Sequence, residues 1–226
     1  MVREEPHTVS IAVEAHLNLV LPDTPYALWA RGELDGHLDL PHERTRVEII
    51  GGEIVVSPAP AFGHGGIVQD VVERVTEARL TDPAFPWRCV QGAGLDVVSV
   101  HDGYVPDLML LDAEVFAAAR RDDVLYLVPD QVELVLEVTS PSNAGNDRPG
   151  RDGRKRTKWA GYARAEIPYY LLVDRDPAVA RVTLYSIPDP GAGAYLHRDV
   201  WDFGETVRLP DPFGLDVPTA GWRPWA

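Results

Sequence analysis

Cys89 is the only cysteine in a chain of 226 residues. This excludes an intrachain disulfide and a cysteine-based zinc site. Long apolar runs are missing as well. No stretch of about 18 apolar residues occurs, so no membrane-spanning helix is expected. The opening residues MVREEPHTVS place no apolar block behind a basic one, which argues against a secretory leader and for the cytoplasm. Basic residues are scarce: 21 Lys and Arg stand against 35 Asp and Glu, a formal net charge of −14. A protein that coats nucleic acid without specificity needs a broad basic face. This chain cannot supply one. Any contact with phosphates requires a local basic patch, with metal ions adding the remaining positive charge.

The rest of the composition is that of a globular protein. Hydrophobic residues make up 45% of the chain and charged residues 25%, enough for one domain with a core of normal size. Residues 1–40 read as an N-terminal extension and 41–226 as the folded domain. Within the extension, 25–37 is compatible with a short helix weakened by Gly32 and Gly36. Val47–Val56 reads as two strands around a turn at Gly51 and Gly52. From His64 to Leu80, the apolar positions Ile67, Val68, Val71, Val72 and Val75 recur at three and four, the spacing of an amphipathic helix. Strands are expected over Trp87–Gln91, Leu95–Val100, Asp107–Leu111, Val132–Val138, Tyr169–Val173, Ala180–Ile187, Tyr195–Trp201 and Glu205–Leu209. His101–Gly103 is expected as a turn and Arg154–Arg164 as a helix. The fold class is α/β, with a central mixed sheet flanked by helices.

Three residues carry the chemistry. Asp107 follows Pro106 and leads into the apolar run Leu108–Leu111. Glu137 lies at the end of the apolar strand Val132–Val138. Lys158 lies on the amphipathic segment that follows. Carboxylates at the ends of buried strands are costly without compensation, and two on adjacent strands repel each other. A divalent cation between them removes both costs, and Mg²⁺ favours such oxygen ligands together with substrate phosphate. An ammonium nearby can orient water or stabilise developing negative charge. Each residue alone has a plainer reading as a turn, rim or surface residue. His64 reads equally as a helix-capping residue, and Glu48 as a partner of Arg44 or Arg46.

The order of these blocks resembles the PD-(D/E)XK superfamily of restriction-endonuclease-like proteins, and within it the Uma-two family. The matching stretches are VEIIGGEIVVSPAP (47–60), His64, VPDLMLL (105–111), LVLEVTSPS (134–142) and KWAGYARAEIPYYLLVD (158–174), all in the family's order. The resemblance implies a restriction-endonuclease-like domain over 41–226 that hydrolyses phosphodiester bonds in DNA with Mg²⁺ or Mn²⁺. It implies Asp107 and Glu137 as metal ligands, joined by the Val138 carbonyl oxygen, and Glu48 and His64 as further catalytic positions. The lysine expected two residues after Glu137 is replaced by Thr139. Lys158, four before Tyr162, takes its place, with Lys155 as second choice. The acid that the family carries four before that lysine is replaced by Arg154, with Asp152 displaced by two.

The segment Arg148–Lys158 (RPGRDGRKRTK) holds six basic residues and one acid, a local reversal of the chain's charge. Arg148, Arg151, Arg154, Lys155 and Arg156 are therefore candidate DNA contacts. Other chemistries find no support. Gly92-Ala93-Gly94 lacks the third glycine and following helix of a nucleotide loop, and no G-x-S-x-G elbow is present. Trp159, Tyr162 and Tyr170 read as core aromatics. DNA is the expected partner, membranes are not, and a homodimer is left open. The rival reading is a non-catalytic nuclease-like scaffold that acts as an interaction or nucleic-acid-binding protein.

Overall fold

The computed structural model describes residues 21–38, 40, 45–150 and 156–226. In chain order its elements are α1 (Pro25–Ala30), β1 (Arg46–Ile50), β2 (Glu53–Ser57), α2 (Phe62–Thr81), β3 (Trp87–Val90), β4 (Gly94–Val97), β5 (Asp102–Tyr104), β6 (Leu108–Asp112), α3 (Ala113–Asp122), β7 (Tyr126–Leu127), β8 (Leu134–Val138), α4 (Ala144–Asp147), α5 (Lys158–Arg164), β9 (Tyr169–Asp174), β10 (Arg181–Asp189), β11 (Ala194–Asp202), β12 (Thr206–Leu209) and β13 (Leu215–Pro218). A six-stranded mixed sheet runs β11-β10-β9-β8-β6-β3, and a five-stranded one runs β2-β1-β5-β4-β7. β12 and β13 form a separate hairpin. The α/β class is observed, with two mixed sheets and a hairpin in place of a single central sheet.

Alternation along the strands divides the core. Leu108 and Leu110 of β6, with Leu134, Leu136 and Val138 of β8, face one way and pack against Ile67, Val68, Val71 and Val75 of α2. This is the helical stripe read from the sequence. Met109, Leu111 and Val135 face the other way, toward Tyr162 and Ala163 of α5 and toward Leu95, Val97 and Tyr104 of the second sheet. Strands buried on both faces read as continuous apolar runs, and β8 is buried at all five positions. A space between the two sheets is thereby set up on the odd-numbered face of β6 and β8.

Several elements depart from expectation. α1 is capped by Thr24, whose Oγ1 accepts from Ala27 N, and stops at Ala30. Gly32 follows with a φ of 69°, and a 3-10 turn covers Leu34–His37. Leu28, Trp29 and Leu34 of this stretch bury themselves against Val47 and Ile49. Residues 101–103 are not a free turn. Asp102 opens β5 because its buried carboxylate accepts from Gly51 N, Gly52 N and Tyr104 Oη. The helix expected from Arg154 begins at Lys158, since Thr157 is its extended N-cap and accepts from Ala160 N. Helix α3 and strand β13 were not expected. Among the described residues, no helix is long and apolar enough to cross a membrane.

Candidate active site

Strand pairing brings the first two residues together. β6 and β8 are antiparallel, with Leu108 opposite Leu136 and Met109 opposite Val135. One step further, the same register sets Asp107 opposite Glu137, on the odd-numbered face. Directly opposed residues of this kind have Cβ atoms about 4.5–5.5 Å apart. The backbone N–H of Val138 donates to Asp107 Oδ2 at 2.8 Å and fixes this carboxylate against the end of β8.

Other elements close around the pair. β1 supplies Arg46 and Glu48, two residues apart and so on one face of the strand. Both Arg46 Nη atoms donate to Asp107 Oδ1 at 3.0 Å. The first turn of α2 supplies His64, whose Nε2 lies 2.9 Å from Asp107 Oδ2. That spacing suits an ion pair, but neither imidazole nitrogen is aligned for a hydrogen bond with any described residue. Lys158 and Tyr162 of α5 are one helical turn apart, so both reach the same atom. Lys158 Nζ donates to Glu137 Oε1 at 3.0 Å and Tyr162 Oη donates to it at 2.6 Å. Lys158 Nζ also lies 2.7 Å from Glu48 Oε1, which accepts from Val105 N at 2.8 Å. Gly161 lets α5 approach this closely, because a Cβ there would collide with Tyr104 Oη.

Asp107, Glu137, Lys158, Glu48, His64 and Val138 therefore line one cleft of about 220 Å³, with Arg46 and Asp147. Glu48 pairs with Lys158, and Arg46 with Asp107, in place of the Arg46–Glu48 pairing open from the sequence. The basic segment behaves differently. Arg148 is committed to Asp174 and Asp176 through contacts of 2.7–2.9 Å. Arg156 donates to the Val100 carbonyl at 3.3 Å. Arg151, Arg154 and Lys155 lie outside the described residues. Thr139, where the standard motif carries lysine, is fully buried. Its hydroxyl donates to Asp174 and accepts from Arg175 N. That position is spent on joining β8 to β9, so the ammonium arrives from α5.

Three residues escaped the sequence reading: Arg46, which clamps Asp107, Tyr162 and Asp147. Tyr162 is a core aromatic as expected, yet its hydroxyl holds Glu137. Asp147, eleven positions before Lys158, is 5% exposed and its Oδ1 lies 3.9 Å from Lys158 Nζ. It does not stand at helical spacing from the lysine, because it belongs to α4 and Lys158 opens α5.

The electrostatics follow from burial. Burial pushes Asp107 up, but His64, Arg46 and the Val138 N–H outweigh it and hold the carboxyl at about 2. Glu137 goes the other way. Burial, aided by Asp107 and Glu48, outweighs Lys158 and lifts it to about 7. Burial likewise raises Asp147 well above the usual range against the pull of Lys158. Lys158 keeps its proton, since Glu137, Glu48 and Asp147 together overcome the burial that would remove it.

Among the described residues, no three His, Cys, Asp or Glu side chains are arranged as a ready-made metal cage. The donor chemistry nevertheless fits a divalent cation. Four carboxylates and two permanent cations line the cleft, a formal excess of two negative charges. Buried His64, with Nε2 beside Asp107, lines the same space. Hard oxygen donors of this kind suit Mg²⁺ or Mn²⁺, with Asp107 and Glu137 as the residues that would hold the ion.

A mixed sheet that sets an Asp opposite a Glu, with a lysine beside them in a cleft, defines a protein of the restriction-endonuclease-like class. The chain belongs to the Uma2 family, described as "Putative restriction endonuclease", whose model matches residues 34–220. This is the Uma-two family that the sequence blocks resemble. A solved structure described as a "putative nuclease belonging to DUF820", from Anabaena variabilis ATCC 29413, is similar in fold. Its TM-score is 0.55 at 18% identity, over 80% of this chain and 89% of that one. No curated protein matches the chain.

Proposed function

We propose that the protein is an endonuclease that hydrolyses phosphodiester bonds in DNA with Mg²⁺ or Mn²⁺. The observation that carries this reading is the gathering of Asp107, Glu137 and Lys158 in one cleft. When bound, a divalent cation supplies positive charge to the scissile phosphate and acidifies an attacking water. The chain's own residues do the rest. Asp107, clamped by Arg46 and the Val138 N–H, and Glu137, steadied by Tyr162, present fixed oxygens to the ion. Lys158 is not a general base, because its carboxylate neighbours keep it protonated. Its ammonium donates hydrogen bonds to the water or to a phosphoryl oxygen, where negative charge grows. His64 adds a nitrogen to the same space and is available to orient water.

DNA contacts beyond the cleft are assigned to Arg151, Arg154, Lys155 and Arg156, with Arg148 held back by its carboxylates. With four phosphate contacts, affinity falls roughly 150-fold when salt rises fourfold. The rival scaffold reading draws on one observation: Asp107 and Glu137 already have protein cations as partners. Calorimetric titration with Ca²⁺ and Mn²⁺ separates the two. The nuclease reading expects saturable binding that Asp107→Asn and Glu137→Gln abolish. A wild-type protein that takes up neither ion is a scaffold.

A further inference from the structure

Asp147 is placed with more care than a surface acid needs. The backbone around it is anchored twice. Tyr170 Oη donates to the Asp147 carbonyl at 2.9 Å, and the next residue, Arg148, is pinned by Asp174 and Asp176. The carboxylate itself is only 7% exposed and lines the cleft. No hydrogen bond from the described residues reaches its side chain. Among the described residues its nearest cation is Lys158, at 3.9 Å, while Glu48 and Glu137 hold the same ammonium at 2.7 and 3.0 Å.

We infer that Asp147 is a positioning residue that receives Lys158 when Glu137 is taken by a divalent cation. The inference rests on the cation-dependent reading above. With a cation on Glu137, the carboxylate would no longer be free to pair with Lys158, and the ammonium would be pushed away from it. Lys158 keeps Glu48, and the next carboxyl within its reach is Asp147. Asp147 waits roughly 1 Å beyond hydrogen-bond distance, and its doubly anchored backbone makes the flexible lysine the partner that moves. Asp147 then holds the ammonium beside the phosphate site without touching the reacting atoms.

Lys155 and Lys158 are the only lysines in the chain, so lysine-selective ¹⁵N labelling gives two ammonium signals, and Lys155→Arg assigns them. Ca²⁺ serves as the probe, read by calorimetry and by these signals. In wild type, the Lys158 signal should shift on saturation with Ca²⁺ and remain protected from solvent exchange. In Asp147→Asn, Ca²⁺ should bind about 10- to 100-fold more weakly, as for residues that orient a metal site from behind. In that variant the Ca²⁺-bound Lys158 signal should lose its protection. Asp147→Glu keeps the charge and should restore most of the affinity, which a purely structural role for Asp147 would not require. Undiminished Ca²⁺ affinity in Asp147→Asn overturns the inference. So does weakened affinity with a wild-type Lys158 shift, which would make Asp147 a direct ligand. If wild type itself binds no Ca²⁺, the nuclease reading fails first and takes this inference with it.

Discussion

Replacing Lys158 by Met tests whether the cleft is held by charge. Met approximates the volume of the lysine stem and removes the ammonium. Lys158 is 3% exposed, and its partners Glu48 and Glu137 are each 2% exposed. Water therefore cannot take over when the ammonium goes. Breaking a buried pair from one side costs about 3–5 kcal/mol. For a chain of this size, that is a fall in Tm of roughly 6–20 °C. The loss should depend on pH in a definite direction. Lys158 is the strongest neighbour holding Glu137 down, against burial, Asp107 and Glu48. Without it, the folded-state pKa of Glu137 climbs further above the ordinary value of 4.5. A carboxyl raised in this way favours the folded state below the unfolded pKa, and that stability is lost as pH rises through the folded value. The variant should therefore lie closer to wild type at pH 5.5 than at pH 8. Thermal unfolding at both pH values, followed by circular dichroism, measures this. A Tm loss of the same size at both, or one below about 2 °C at pH 8, which corresponds to under 1 kcal/mol, would refute the reasoning.

Three further outcomes follow from particular contacts. Arg148→Ala should cost about 2 kcal/mol of stability, by removing charged hydrogen bonds to Asp174 and Asp176. It should leave the salt dependence of DNA binding unchanged in an anisotropy titration. Thr139→Lys, which writes the standard motif back into β8, should lower Tm without replacing Lys158 in a Lys158→Met background. Position 139 is fully buried and bonded to Asp174 and Arg175. Cys89, whose thiol is pushed up to about 12 by burial, should react far more slowly at pH 8 with a disulfide reagent than a free cysteine does. Addition of denaturant should bring the rate up to that of the free thiol.

Much of the fold can be read where local pattern and tertiary demand agree. The Gly51-Gly52 turn adopts positive φ at both residues, and the valine stripe of α2 lies on the sheet. The candidate site was legible because Pro106 and the apolar runs of β6 and β8 mark where two buried strands end. What the sequence concealed is non-local. Residues 101–103 look like a turn until Asp102 finds the N–H groups of Gly51 and Gly52, about fifty positions away. Helix α3 buries none of its residues fully, so its short apolar stripe, Phe116 and Ala119 packed partly against the core, is a weak signal. Asp112 caps it by accepting from Glu114 N. Asp147 and Arg46 enter the cleft from a separate helix and a separate strand, and no spacing rule along one element links them to Lys158 or Asp107.

The central claim is that Asp107 and Glu137 hold a cation that cuts DNA with help from Lys158. Cleavage of supercoiled plasmid in Mg²⁺ or Mn²⁺ tests it most directly, comparing wild type with Asp107→Asn, Glu137→Gln and Lys158→Ala proteins whose folding has been verified. The account predicts nicking by wild type that chelation abolishes and that each substitution lowers by at least about 100-fold. Wild-type nicking retained in any of the three variants, or no nicking by wild type under any divalent cation, would contradict it.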